Sequence, residues 1–166
     1  MVLNQRSIWI GVVVVLLIGA TLIFRWQPDR QLDRRWEGFL EAFSTRRWSA
    51  VDAYLSTKYE DSWGHTRQDL KRRATYALMD FTRLEIRVES VAVHRTGRSA
   101  TIEAVVRVRG AGGYRAENTR RAVNTVFSPT KFEWERQPWR PWDWRLVWAE
   151  NPEIDLPRAY EPPFGP

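Results

Sequence analysis

Tyr59, Asp61 and His65 lie close together in the chain and carry the side-chain types that proton transfer needs. A carboxylate or imidazole facing a dry pocket can take a proton, and a phenol can donate to the oxyanion that develops. Asp61 stands beside Tyr59 and Trp63, four residues before His65, in a stretch ending at Gly64 whose composition suits a short strand or loop. The competing expectation is that Asp61 and His65 are solvent-facing loop residues that do no chemistry. Asp80 precedes Phe81 near the end of a helical pattern and His94 precedes a turn, and at both positions a surface role is expected. Two histidines separated by a helix and a strand do not form a metal-ligand spacing, so no metal site is expected. Cysteine is absent, which excludes disulfides, thiolate ligands and a cysteine nucleophile. Gly110 to Gly113 falls between strands with no convincing helix after it, so it is not read as a phosphate loop, and no cofactor is expected.

A second grouping is basic and aromatic. Arg120, Arg121, Arg136, Arg140 and Arg145 interleave with Trp134, Trp139, Trp142 and Trp144. Such mixtures can stack bases and neutralise phosphates. Glu133 and Glu135 interrupt the basic patch, however, and Trp142, Trp144 and Trp148 fall on one strand face with Leu146, which suits a buried surface better. Nucleic acid is therefore not the expected partner. In the loop Gln137-Pro-Trp-Arg-Pro-Trp142, Trp139 lies between prolines. Trp139, Arg140 and Trp142 are the partner-binding candidates, since an aromatic beside arginine is a common hot-spot composition. Trp139 folded back on its own sheet is the equal alternative.

The elements that must position these residues follow from hydrophobic period. Leu32, Trp36, Phe39, Leu40 and Phe43 fall at helical spacing opposite Arg34, Arg35, Glu37 and Glu41. A shorter helix carries Trp48, Val51, Tyr54 and Leu55. Thr66 and Asp69 have the spacing of a capping box, and Leu70, Ala74, Ala77, Leu78 and Phe81 form the stripe of a third helix. The period then changes to two at Leu84, Ile86 and Val88 and shifts parity to Val91 and Val93, which predicts a β-bulge at Glu89-Ser90. A turn at Thr96-Gly97-Arg98 leads to Ile102, Ala104, Val106 and Val108, completing a hairpin. A less regular strand is expected around Val123, Thr125 and Phe127, continuing to Phe132 and Trp134, and a final strand runs from Trp142 to Trp148.

Upstream of all this, residues 8–24 contain no charge. A helix of that length reaches roughly 26 Å, a little short of the ~30 Å hydrocarbon core, so its flanks must help. Ile8, Trp9, Phe24, Arg25 and Trp26 are the anchor residues, the tryptophans sitting at the interfacial belts and the arginine snorkelling toward headgroups. The rival reading is a cleaved signal peptide with a site near Ile18-Gly19-Ala20. The organisation read from the chain is a flank at 1–7, a transmembrane helix at 8–25, one domain at 26–152 and a proline-rich tail at 153–166. Arg25, Arg30, Arg34 and Arg35 favour a cytoplasmic domain, but long domains translocate largely regardless of charge, and an extracytoplasmic domain is expected. The chain has 166 residues, a net charge of +6 and ten tryptophans, which imply a heavily aromatic core, an aromatic pocket or a partner surface.

The order of helices and strands, carried by Trp36-Glu-Gly-Phe-Leu-Glu-Ala-Phe43, Trp48-Ser-Ala-Val-Asp-Ala-Tyr-Leu55, Phe132-Glu-Trp-Glu-Arg136 and Trp142-Asp-Trp-Arg-Leu-Val-Trp148, resembles the nuclear-transport-factor-2-like superfamily over roughly residues 30–152. The resemblance implies an α+β cone in which three helices pack on a bent antiparallel sheet, here following an N-terminal transmembrane helix. Fold alone does not settle function. The main expectation is a membrane-anchored, non-catalytic binding or assembly domain that contacts the lipid bilayer and other membrane or envelope proteins. The alternative is a small-molecule enzyme or ligand binder resembling ketosteroid isomerases and polyketide cyclases, using Asp61 with Tyr59 or His65. The resemblance also implies a homodimer through packed sheets.

Overall fold

The computed structural model describes residues 28–140 and 142–154, together with Val14. Helix α1 spans Pro28–Ser44 and buries Leu32, Trp36, Phe39 and Ala42, the stripe its periodicity predicts. It ends where the hydroxyls of Ser44 and Thr45 donate back to the Glu41 carbonyl at 2.9 and 2.6 Å and Arg46 turns into the left-handed region at φ 54°. The Arg46 guanidinium then donates to the Phe81 carbonyl at 2.6 Å, fixing this end of the helix to the start of the sheet. Helix α2, Trp48–Tyr54, buries Val51. Helix α3, Arg67–Leu78, opens with the expected capping box between Thr66 and Asp69.

Four antiparallel strands follow in the order β1-β2-β3-β4: β1 Phe81–Thr96, β2 Ser99–Gly112, β3 Thr130–Arg136 and β4 Trp144–Glu150. The parity change in β1 is a register shift between Val88 and Ser90, as the sequence predicts. Phe81, counted above with the third helix, instead opens β1, because that helix ends at Leu78. Between β2 and β3 the expected irregular strand near Val123 is helix α4, Tyr114–Asn124. Ala116 and Val123 lie seven residues apart on the side that packs against Leu78, Phe81 and Val108, a helical rather than a strand spacing. Asn124 locks the helix end to the sheet, accepting from Val108 N at 2.9 Å and donating to Val108 O at 2.8 Å.

The main core lies between α1, α2 and the sheet. Trp134 and Trp144 are fully buried there with Leu55, Ile102 and Leu146, and Trp134 meets Trp36 and Phe39 edge-on at 6.4 and 5.8 Å. Ala100 pairs across the strands with Trp134, leaving the volume the indole fills. Burial of each indole is worth roughly 4–6 kcal/mol of transfer free energy before entropy is counted. In β4 the expected alternation breaks. A register shift opposite Glu133/Trp134 turns Ala149 inward and leaves Trp148 only half-buried, since a one-residue slip exchanges faces. Trp142 precedes the strand and is 44% exposed, so it does not share the buried face expected of it.

Among the described residues no helix is long and apolar enough to cross a membrane. The anchor residues Ile8, Trp9, Phe24, Arg25 and Trp26, and the tail beyond residue 154, lie outside the described residues.

Candidate functional site

After α2 the chain runs from Leu55 to Ser62 along β4. Ser56 N donates to Leu146 O at 2.9 Å, Glu60 N to Val147 O at 3.2 Å and Ser62 N to Ala149 O at 3.0 Å. This places Tyr59, Asp61 and His65 together, as the proton-transfer reading requires. All three are buried, so the expectation of solvent-facing Asp61 and His65 is corrected. The Asp61 carboxylate is committed to its own loop. Its Oδ1 accepts from the backbone N–H of Trp63 at 3.1 Å and of His65 at 2.8 Å, and its Oδ2 lies 3.1 Å from His65 Nδ1. Asp61 N donates to His65 O at 3.1 Å, which closes the loop from the other side. Burial, followed by the neighbouring Asp61 charge, pushes the Tyr59 phenol well above its usual range, so it stays protonated.

The loop is covered by Trp63, whose ring stacks against His65 and whose indole N–H donates to Ile154 O at 2.7 Å. The arrangement resembles a positioned acid–base pair; Tyr59 lines a groove with Asp52, Glu60, Thr66 and Arg67, whereas Asp61 and His65 do not line that groove. Asp80 and His94 lie elsewhere. Asp80 is half-buried, not simply exposed: its Oδ2 accepts from Arg115 N at 3.1 Å and its carbonyl from Gly113 N at 3.2 Å, so it holds the start of α4. The Gly110–Gly113 segment therefore does lead into a helix, but a carboxylate already occupies its N-terminus. His94 is exposed on β1. No cluster of three or more potential metal-ligating residues occurs among the described residues.

The other arrangement forms at the end of the sheet where β1 turns into β2 and β3 into β4. Arg136 N donates to Arg98 O at 2.8 Å and joins the two turns. Arg140 N donates to Gln137 O at 3.3 Å and Asp143 N to Arg140 O at 2.8 Å, shaping the loop that presents Trp139. Asp143 is buried and receives the guanidinium of Arg35 from α1 and that of Arg145 at 3.1 Å. This ion pair ties the loop to the first helix.

Beside the loop lies a groove of about 510 Å³ lined by Lys58, Arg98, Arg136, Arg140 and Arg145 against Glu135 and Asp143. Arg145 is spent on Asp143, but Lys58, Arg98, Arg136 and Arg140 have no carboxylate partner among the described residues. Arg136 instead lies over the ring of Trp144, 5.8 Å from its centre. Trp139 stands at the rim, 92% exposed, so it does not fold back on its sheet. Of these residues, the sequence points to Arg136, Arg140, Arg145 and Trp139, while Trp142, the remaining partner-binding candidate, does not line the groove. Lys58 and Arg98 were missed because they arrive from separate turns and belong to no local pattern.

No family model matches the chain, and no curated protein matches it by sequence. Solved structures do match. Bd1075 of Bdellovibrio bacteriovorus superposes with a TM-score of 0.55 at 5% identity over 73% of this chain, which spans only 38% of that protein. A candidate dehydratase of the nuclear-transport-factor-2-like family from Streptomyces avermitilis gives a TM-score of 0.54 at 12% identity, covering 74% of this chain and 95% of that one. A candidate scytalone dehydratase from Novosphingobium aromaticivorans gives 0.52 at 10% identity, covering 72% and 79%. At such identities the likeness concerns architecture alone: the described domain, with its helices packed on a four-stranded antiparallel sheet, has the nuclear-transport-factor-2-like fold.

Proposed function

We propose that this domain is a ligand binder and that its ligand is an anion held in the groove between Lys58, Arg98, Arg136 and Arg140. The observation that carries this reading is the convergence of four cations without carboxylate partners on one concave surface, beside an exposed indole. Guanidinium forks suit phosphate and carboxylate oxygens, and the indole offers an apolar face to the remainder of the ligand. The neighbours named as dehydratases support small-molecule binding over assembly alone. Asp61 and His65 are read as structural, because both are buried and the carboxylate is taken up by the backbone N–H groups and the imidazole of its own loop.

The test is a thermal-shift series on the full chain in neutral detergent, with inorganic phosphate, citrate and aromatic carboxylates as ligands. A ligand present at a hundredfold its Kd should stabilise the fold by about 2.7 kcal/mol, and Arg98→Gln with Arg136→Gln should abolish that shift. Equal shifts in the parent and the double variant would reject the site. A protein partner on the same rim is the second reading, favoured by Trp139, the most exposed of the large apolar side chains described. Membrane tethering through residues 8–25 and homodimerisation are parts of that reading. Light scattering that shows only monomer at high concentration would remove the dimer.

A further inference from the structure

We infer that the anion recognised by the groove is the phosphate of a phospholipid headgroup, and that the turns at 97–98 and 137–140 form a membrane-facing rim on which the domain docks against its own bilayer. The inference rests on the ligand-binding reading above and names the source of the anion.

Three observations converge on one end of the domain. The first is direction. Helix α1 runs opposite to β1: Arg46 at its C-terminal side reaches Phe81 O at the start of β1, whereas Asp33 near its N-terminus pairs with Arg95 at 2.8 Å, at the far end of that strand. Arg35 reaches Asp143 in the β3–β4 loop. The N-terminal turns of α1 therefore lie beside the basic groove.

The second is reach. From Pro28 to Arg35 the helix advances only about 10 Å. Residues 8–24 are uncharged and apolar, and four chain steps separate Phe24 from Pro28, which span at most about 14 Å. If the apolar run is seated in a bilayer, the start of α1 is held within that distance of its surface, and the groove, about 10 Å further along the helix, within roughly 24 Å.

The third is chemistry. The rim offers Arg98 and Arg140 exposed, Lys58 and Arg136 lining the groove behind them, and Trp139 projecting into solvent. Indoles are favoured at the headgroup level, and each basic side chain near an anionic leaflet strengthens association by roughly fivefold. The opposite end of the sheet also carries an exposed aromatic, Tyr114, with Arg83 and Arg109 exposed on the strands beside it, so direction and reach, not composition, single out the Trp139 end. At the opposite end Asp80 secures the start of α4, and Glu117 on that helix is engaged by Arg120 at 2.6 Å.

The absence of cysteine makes the test direct, because Pro138→Cys gives the full chain one labelling site beside Trp139. The labelled protein is placed in nanodiscs of phosphatidylcholine alone and of phosphatidylcholine mixed with phosphatidylglycerol, each with a headgroup-proximal spin-labelled lipid as quencher. The expected result is strong quenching in the mixed discs and weak quenching in the neutral ones, with the difference removed by high salt and by the combined Lys58→Gln, Arg98→Gln and Arg140→Gln variant. Equal quenching in both discs would overturn charge-driven docking. Absent quenching, together with a change in dye emission on adding inorganic phosphate, would overturn the lipid assignment while the anion site stands. Absence of both responses would overturn both. Hydrogen exchange of residues 137–143 in the unlabelled chain, slowed only in the mixed discs, provides the same readout without the cysteine.

Discussion

Replacing Asp61 by alanine separates a structural acid from a catalytic one. In the folded chain its Oδ1 holds the N–H groups of Trp63 and His65, and its Oδ2 faces His65 Nδ1. Alanine leaves the His65 N–H buried without an acceptor, while the Trp63 N–H, on a half-buried residue, can recruit water. One fully orphaned donor costs about 1–3 kcal/mol, and loss of a charge-assisted bond adds a similar amount, so a total of about 3 kcal/mol is expected. For a chain of this size that lowers Tm by roughly 6–12 °C. Asp61→Asn keeps an oxygen for the two backbone donors and forfeits only the contact with the imidazole, so about 1 kcal/mol is expected. Urea unfolding followed by tryptophan fluorescence reads both values, with an unchanged slope confirming that the same structure unfolds. Anion binding at the groove should survive in Asp61→Asn. If Asp61→Ala stayed within about 0.5 kcal/mol of the parent, the carboxylate would not be supporting the loop and its conversion to a structural role would be mistaken.

Acid should weaken the link between α2 and α3. Arg67 donates to Asp52 through Nε at 2.7 Å and Lys71 approaches at 2.7 Å, and these partners hold the Asp52 carboxyl at about 2 against an ordinary 3.8. Because the folded value is the lower one, the stabilisation is complete above pH 3.8 and is lost as the pH falls toward 2. The Asp52→Asn variant should be less stable near neutrality by on the order of 1 kcal/mol, allowing for solvent around a partly exposed group, and should converge with the parent in acid denaturation curves. At Gly112 an added Cβ would meet Asp80 O at 2.3 Å and Phe81 Cα at 2.9 Å, both backbone, so Gly112→Ala should cost more than about 2 kcal/mol. Gly64→Ala, in open space at φ 78°, should cost only about 1 kcal/mol, and equal losses in chemical denaturation would refute the steric argument.

What could be read in advance divides by how far apart in sequence its causes lie. The α1 stripe, the capping box at Thr66 and the bulge near Glu89 are each written within a few residues, and each appears where its pattern places it. Helix α4 was hidden because its packing contribution comes from little more than Ala116 and Val123, while Val123, Thr125 and Phe127 imitate a strand by chance. Phe127 in fact lies 74% exposed beyond the helix, under the guanidinium of Arg107. The burial of Asp61 and His65 depends on partners remote in sequence: β4 lies alongside their loop, and Ile154 accepts from the Trp63 indole that covers them. No window around residues 59–65 contains either.

The same nonlocality bears on where the proposed ligand site lies. In the described domain the space between the first two helices and the sheet is filled by aromatic side chains. Trp134 and Trp144 lie at the centre with Trp36 and Phe39 against them, and neither central indole N–H has a hydrogen-bond partner among the described groups. Leaving such donors dry costs about 1–3 kcal/mol each, a cost the core tolerates because the rings themselves bury so much apolar area. A substrate entering that space would have to displace an indole and lose several kcal/mol of packing before making any contact of its own. At the rim no such displacement is needed. Arg98 and Arg140 there are exposed, and the turns that carry them are held from behind by the Arg35–Asp143 pair and the backbone bond from Arg136 N to Arg98 O. The proposed binding at that end would therefore use order that folding has already established, which is why the indole-filled core and the cationic groove belong to one account of this chain.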